Sequence, residues 1–267
     1  MTHVTKAIIL ARGLGTRMRK QAQSAQLSAD QQAAANAGTK ALINVGRPFL
    51  DYIISALADV GVTDVCLVIG PEHHAFRDYY DAIATERVRI HYAVQEEPLG
   101  TADALAAARE FQGEDRAVVL NSDNYYPVSA LRELVAQPGS AVVGFTRRAM
   151  VEDSNIAAER IRSFAIIDSD GTRMSEVIEK PDEATYARLA DAPVSMNCWL
   201  FTAAIQECCS RVTPSPRGEL ELIDAVNLLM ASEDVALVIS DEGVLDMSNQ
   251  DDIPSVQAAL AGVTVAL

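Results

Sequence analysis

Cysteine is scarce: the chain has four among 267 residues, Cys66, Cys198, Cys208 and Cys209. Cys208 and Cys209 are adjacent, a poor geometry for bridging, and no pair has metal-site spacing, which excludes a disulfide framework or a zinc site. The four read as small apolar residues in a reducing compartment. Basic charge is also short. The 22 lysines and arginines face 37 acidic residues, a formal charge of −15, so no broad basic face exists to bind nucleic acid. Any anionic ligand must be held by a local basic cluster. Long apolar runs are missing too, with none approaching the roughly 20 residues of a membrane span. The N-terminus MTHVTKAIILA lacks the basic region, apolar stretch and cleavage site of a signal peptide. These absences predict a cytoplasmic protein without a membrane partner. No linker, repeat or low-complexity stretch divides the sequence, which predicts one domain over residues 1–267.

What is present is ordinary globular composition, 49% hydrophobic and 22% charged. Ala7–Ala11, Asp64–Gly70 and Ala117–Leu120 are short runs rich in Val and Ile, suited to strands buried on both faces of a mostly parallel sheet. Between them Phe49–Val60 has helical spacing and stops at Gly61, and Thr101–Phe111 reads as a second helix with Thr101 as N-cap. This order predicts right-handed crossovers and a Rossmann-like three-layer α/β sandwich. In the second half, Ala141–Thr146, Ser163–Ile167 and Val194–Phe201 read as strands, and Leu220–Met230 and Pro254–Leu260 as helices. The Ala- and Gln-rich stretch Gln21–Ala37 reads either as a solvated insertion or as a lid, with Ser28 able to cap a short helix that stops at Gly38.

Directly after the first strand comes Leu10-Ala11-Arg12-Gly13-Leu14-Gly15-Thr16-Arg17-Met18. A glycine-rich turn at a strand's carboxyl end lets backbone N–H groups approach phosphate oxygens, at the sheet edge where α/β proteins bind ligands. Met18 stands where a dinucleotide fingerprint needs its third glycine, and the Gly-Lys-Ser/Thr of a phosphate-loop NTPase is also missing.

The loop Gly13–Arg17 resembles the hallmark of the nucleotidyltransferases that join a nucleoside triphosphate to a sugar 1-phosphate. The resemblance continues through Lys40-Ala41-Leu42, Gln95–Leu105, Asn121–Asn124, Glu179-Lys180-Pro181, Asn197, Arg217–Asp224 and Leu245-Asp246, in the family's order along nearly the whole chain. It implies the nucleotide-diphospho-sugar transferase fold, with about 1–125 holding nucleotide and about 126–267 shaping the sugar pocket.

The substrates implied are an NTP and a sugar 1-phosphate, or a sugar-like phosphate, joined with release of pyrophosphate. Because two polyanions must meet in line, the site has to neutralise charge. The resemblance makes Arg17 and Lys40 the catalytic cations, Arg17 bridging triphosphate oxygens and Lys40 near the α-phosphate or departing pyrophosphate. Lys40 is one of only four lysines, with Lys6, Lys20 and Lys180. Asp123 and Asp246 are implied as ligands of Mg²⁺, a hard cation that takes few carboxylates plus phosphate oxygens. Read alone, each is equally a turn former.

Leu10, Ala11, Arg12, Gly13, Gly15, Thr16, Gln95, Gly100 and Thr101 are implied to hold the nucleotide. Gln95 would hydrogen-bond the base, an amide donating and accepting at once. Asn124, Glu179, Lys180 and Asn197 are implied for the sugar phosphate. Arg217–Asp224 reads as sugar-side or simply as a helix start with stabilising acids. Homo-oligomerisation is the habit of many relatives, although nothing in the sequence marks an interface.

Departures from the family pattern bear on sugar and base identity. Arg12 stands in place of a small residue, Lys20 and Ala41 in place of prolines, and Ala165 in place of a glycine, while the Arg17–Lys40 stretch is long. The absence of hexapeptide repeats predicts no left-handed β-helix and no acyltransferase. Alternative readings are cytidylyl transfer to a non-sugar phosphate such as phosphocholine, and a catalytically silent regulatory subunit. A glycosyltransferase is disfavoured, since no Asp-x-Asp occurs at Asn121–Asp123.

Overall fold

The computed structural model describes residues 3–13, 18, 27–37 and 39–267. Its strands are β1 (Lys6–Leu10), β2 (Asp64–Ile69), β3 (Arg89–Val94), β4 (Ala117–Asn121), β5 (Asn124–Tyr125), β6 (Ala141–Phe145), β7 (Ile166–Ser169), β8 (Met174–Ile178), β9 (Val194–Phe201), β10 (Ala236–Ser240) and β11 (Leu245–Asp246). Seven form the path β10-β6-β9-β4-β1-β2-β3, and β7 and β8 extend this sheet from the side of β9. The pairs β1–β2, β1–β4, β2–β3 and β6–β10 are parallel. Strand β9 is the exception, inserted antiparallel between β4 and β6. β5 and β11 make a separate antiparallel pair.

The apolar runs are buried on both faces because helices cover both. Alternate residues of one strand enter different clusters: Ala7 and Ile9 pack with Phe49, Ile53 and Leu57, whereas Ile8 packs with Leu105, Trp199 and Leu229. The helix Phe49–Asp59 forms as its periodicity predicts. Thr101–Phe111 does not form one helix: Thr101–Ala107 is followed by a separate short helix, Arg109–Gln112, around Ala108. The cap is Gly100, not Thr101, whose hydroxyl instead accepts a hydrogen bond from the Leu222 amide at 2.8 Å. The strand expected at Ser163–Ile167 begins only at Ile166, and the helix expected from Leu220 begins at Leu222, because the Leu220 backbone pairs with Leu99 and Ala102.

Within the Ala/Gln-rich stretch, Ser28 does cap the helix Ala29–Ala37. Its hydroxyl accepts from the Gln31 amide at 3.2 Å, while the Gln31 side chain accepts from the Ser28 amide at 3.1 Å. Gln31 also donates to the Asn44 carbonyl at 2.7 Å, fastening the helix to the body. Residues 21–26 and Gly38 lie outside the described residues. All four cysteines are free and buried, and burial pushes the Cys66 and Cys209 thiols up to about 12. No helix among the described residues is long and apolar enough to cross a membrane.

At the start of β2, Asp64 accepts two bonds from the Arg89 guanidinium, at 2.8 and 2.6 Å, and one from Thr63 at 2.9 Å. Those from Arg89 lead in lowering its carboxyl to about 2. A depressed pKa stabilises the fold above the unfolded value and the benefit disappears as pH falls through about 2. Asp64→Asn should therefore lower the melting temperature at pH 7. The loss should be no more than about 1 kcal/mol, because Arg89 is exposed and water screens the pair. Melting curves recorded from neutral to acidic pH should show the gap to the wild type closing toward pH 2.

Candidate active site

The carboxyl ends of β1 and β4 lie side by side, with Leu10 opposite Asn121. The segments that leave them, 11–13 and 122–123, therefore emerge together at the edge where α/β sheets bind ligands. A cavity of about 330 Å³ opens there, lined by Leu10, Arg12, Gly13, Lys40, Gln95, Pro98, Gly100, Thr101, Ala104, Asn121, Ser122, Asp123 and Glu219. A second cavity of about 230 Å³ shares Leu10, Thr101, Asn121 and Glu219 with it and adds Glu179, Asn197, Trp199, Arg217, Glu221, Leu222 and Ile223. Two adjoining chambers thus meet across the end of the sheet.

Lys40 begins a single 3₁₀ turn, Lys40–Leu42, anchored by the buried Ala41. Its ammonium forms an ion pair with the Asp123 carboxylate. Gly13 lies beside it: a Cβ there would sit 3.9 Å from Lys40 Cε. Arg12 is only 8% exposed. Its Nη1 donates to the Gln95 carbonyl, its Nη2 lies 3.7 Å from Glu72, and its Nε has no hydrogen-bond partner among the described residues. Gln95 is buried at the end of β3, its amide nitrogen donating to the Gly100 carbonyl at 3.0 Å and to Asp103 at 2.8 Å. Ala11 is buried beside this wall without lining the cavity. Gly15, Thr16 and Arg17 lie outside the described residues.

Asp246 is brought to Asp123 by the β5–β11 pairing, in which it faces Asn124. The Met247 amide donates to the Asp123 carbonyl at 2.9 Å. Asp246 is 3% exposed and lines neither chamber. Burial first, and then the charge of Asp123, push its carboxyl above the ordinary range. Two carboxylates held this close repel each other, and a divalent cation would relieve the repulsion. Among the described residues no group of three or more His, Cys, Asp or Glu could hold a metal. The donor set fits a hard ion that takes two carboxylates and completes its shell with phosphate oxygens and water.

On the opposite side, Asn197 and Lys180 are the two non-glycine residues with positive φ among the described residues, 55° and 47°. Such strain persists where surrounding structure enforces it and often marks a site. At Asn197 the enforcing contacts are visible: Trp199 Nε1 donates to its Oδ1 at 3.3 Å, and the Tyr126 hydroxyl donates to the neighbouring Met196 carbonyl at 2.6 Å. Glu179 lies 3.5 Å from Arg217, which also pairs with Glu221 at 2.8 Å. Lys180 lines neither inner chamber but a wider adjoining groove of about 810 Å³, together with Glu179, Arg217 and Glu221. Asn124 lines neither chamber and donates to Asp246 at 3.1 Å. The Ala165 carbonyl accepts from the Ser195 amide at 2.8 Å.

Sequence reasoning missed Trp199, Asn155 and Arg160 near these sites, whereas Glu219 lies in the Arg217–Asp224 segment that it singled out. The Asn155 amide clamps the Asp246 backbone from both sides, donating to its carbonyl and accepting from its N–H, each at 2.8 Å. Arg160 donates to Asp246 Oδ2 at 2.7 Å. Asn155 sits in an irregular bend and Arg160 in the four-residue helix Ala158–Ile161, too short to show periodicity, so only the folded contacts reveal them.

A mostly parallel sheet with Gly13 and a Lys–Asp pair at its carboxyl edge, opening onto two joined chambers, defines a phosphate-handling α/β class. The chain belongs to the nucleotidyl transferase family, which it matches over residues 6–261. It is 28% identical over 265 residues to a glucose-1-phosphate thymidylyltransferase of Streptomyces griseus, covering 97% of this chain and 67% of that protein. A low-salt glycan biosynthesis nucleotidyltransferase of Haloferax volcanii is 28% identical over 234 residues, 84% of this chain but 57% of the relative. A UTP–glucose-1-phosphate uridylyltransferase of the same organism is 30% identical over 237 residues, covering 85% of this chain and 84% of the relative. A crystal structure of UDP-glucose pyrophosphorylase complexed with UDP-glucose shares the fold, with a TM-score of 0.76 at 16% identity over 97% of this chain and 98% of that one. The UTP-bound enzyme from Acinetobacter baumannii gives 0.75 at 17% identity, over 98% and 95%.

Proposed function

We propose that the protein joins an NTP to a sugar 1-phosphate, giving an NDP-sugar and pyrophosphate. The observation that carries this reading is the pair of adjoining chambers, with the Lys40–Asp123 ion pair on the wall of the first and Leu10, Thr101 and Asn121 common to both. The first chamber takes the nucleotide, and the second takes the sugar.

In the reaction an oxygen of the sugar phosphate attacks the α-phosphorus, and the bond to the β-phosphate oxygen breaks as pyrophosphate departs. The protein's part is alignment and charge neutralisation. Lys40 exchanges Asp123 for phosphate oxygens when the triphosphate enters, and Arg17 adds a planar fork of donors. Gln95 and Arg12 wall the base end, while Glu179 and Asn197 meet the sugar hydroxyls. Asp123 and Asp246 would hold Mg²⁺, which supplies Lewis-acid stabilisation of the phosphoryl oxygens when bound.

The test is pyrophosphate release measured across a matrix of NTPs and sugar 1-phosphates with Mg²⁺. Turnover of one pair is expected, dTTP or UTP with glucose 1-phosphate being the first pairs to examine given what the relatives are named for. Turnover with an amino-alcohol phosphate alone, or nucleotide binding with no release for any pair, would overturn the reading.

A further inference from the structure

We infer that Arg160 is a positioning residue for the proposed metal centre, fixing the direction in which the Asp246 carboxylate presents its one remaining lone pair. The inference rests on the reading of Asp123 and Asp246 as metal ligands. An ionised carboxylate offers about four acceptor positions. On Asp246, Oδ1 accepts from Asn124 at 3.1 Å and from the Ser248 hydroxyl at 2.8 Å, so that oxygen is occupied. Oδ2 accepts from Arg160 at 2.7 Å. The lone pair left on Oδ2 is the one a cation would meet, and Arg160 grips the same atom from the other side.

The grip is itself braced. Arg160 Nη1 lies 3.2 Å from Asp252 Oδ1, and the second oxygen of Asp252 accepts from the Ser248 and Asn249 amides at 3.0 and 2.9 Å. Asp252 thereby ties Arg160 to the turn that follows Asp246, and one guanidinium spans both carboxylates. Its planar fork suits this, because two donors leave it at a fixed angle. A charge placed only to offset Asp246 would not need the second anchor. Outer partners of metal ligands set ligand direction and typically govern affinity by about 10- to 100-fold.

The experiment is a Mn²⁺ titration of the full chain followed by electron paramagnetic resonance, with thermal melting recorded alongside. Arg160→Met should remain folded and bind Mn²⁺ about 10- to 100-fold more weakly than the wild type. Arg160→Lys restores the charge but not the two-carboxylate span, so its affinity should fall between the two. That variant also carries the test if the methionine variant does not fold. Wild-type affinity in a folded Arg160 variant, with binding lost in Asp246→Asn, would overturn the inference while leaving the metal assignment standing. Equal binding by the wild type and Asp246→Asn would remove the metal assignment and the role of Arg160 together.

Discussion

Replacing Asp123 with alanine should abolish measurable pyrophosphate release, lowering kcat by about 10³-fold, while the protein melts close to the wild-type temperature. The size follows from where the carboxylate sits. It lies on the wall of the first chamber, where the triphosphate is proposed to bind, beside Lys40 and the buried Asp246. Removing a preorganised group that manages developing charge on a reacting phosphate or acyl centre costs on the order of 10²–10³ in rate, and loss of the proposed metal ligand adds to that. Stability should change little, because the truncation relieves the repulsion acting on Asp246 while releasing Lys40 to solvent. Nucleotide affinity without metal should hold or rise, since an anion next to a triphosphate has gone and Lys40 is freed. Retention of more than a tenth of wild-type kcat would remove Asp123 from the chemistry.

The largest structural effect is expected at Gly100. Its φ of 129° disfavours any side chain, and a Cβ there would stand 2.4 Å from the Leu220 carbonyl oxygen and 2.6 Å from the Leu220 nitrogen. These are backbone atoms that no rotamer change can move. Gly100→Ala must therefore separate the turn before helix Thr101–Ala107 from the segment leading into helix Leu222–Met230. Three hydrogen bonds join them: Leu220 N–H to Leu99 carbonyl at 2.7 Å, Ala102 N–H to Leu220 carbonyl at 2.9 Å, and Leu222 N–H to the Thr101 hydroxyl at 2.8 Å. We expect a loss of about 2–4 kcal/mol, seen as a drop of roughly 5–15 °C in melting temperature, and a raised KM for both substrates because Thr101 borders both chambers. Gly113→Ala is the control. Gly113 also has positive φ, 57°, but nothing lies within 4 Å of its Cβ position, so only backbone strain is added, at about 1 kcal/mol. Equal melting temperatures for the two variants would refute the steric argument.

Much of the layered fold was legible because its signals are local. The buried Val- and Ile-rich strands β1, β2 and β4, the helix Phe49–Asp59 stopping before Gly61, and the Ser28 cap each follow from neighbours in sequence. That Lys40 and Asp123 belong to one site was implied only by family resemblance, since 83 residues separate them, and their ion pair appears only in the fold. What stayed hidden depends on pairing across long separations. Thr101 looks like a cap by residue type, yet its hydroxyl is committed to a partner 121 residues away. The Arg160 grip on Asp246 spans 86 residues and has no periodicity to announce it. Arg12 reads as a loop residue, and its burial against Gln95 appears only when β1 and β3 are brought to the same edge. Asn124 belongs to the same class: its type suits a sugar hydroxyl, but the β5–β11 pairing turns its amide to Asp246.

The antiparallel insertion of β9 has a consequence for anyone who would re-engineer specificity by exchanging parts. Strand β4 gains one of its two neighbours from residues 194–201, far along the chain. A fragment ending near residue 125 would expose the backbone of β4 as a bare apolar edge, an invitation to self-association. Grafting a foreign C-terminal segment onto residues up to about 125 must therefore match the seam Ala117–Phe201, Val118–Leu200 and Val119–Trp199 residue by residue. Such hybrids should succeed when the donor supplies side chains of equal volume along that seam, and precipitate when it does not, whatever the quality of the grafted pocket.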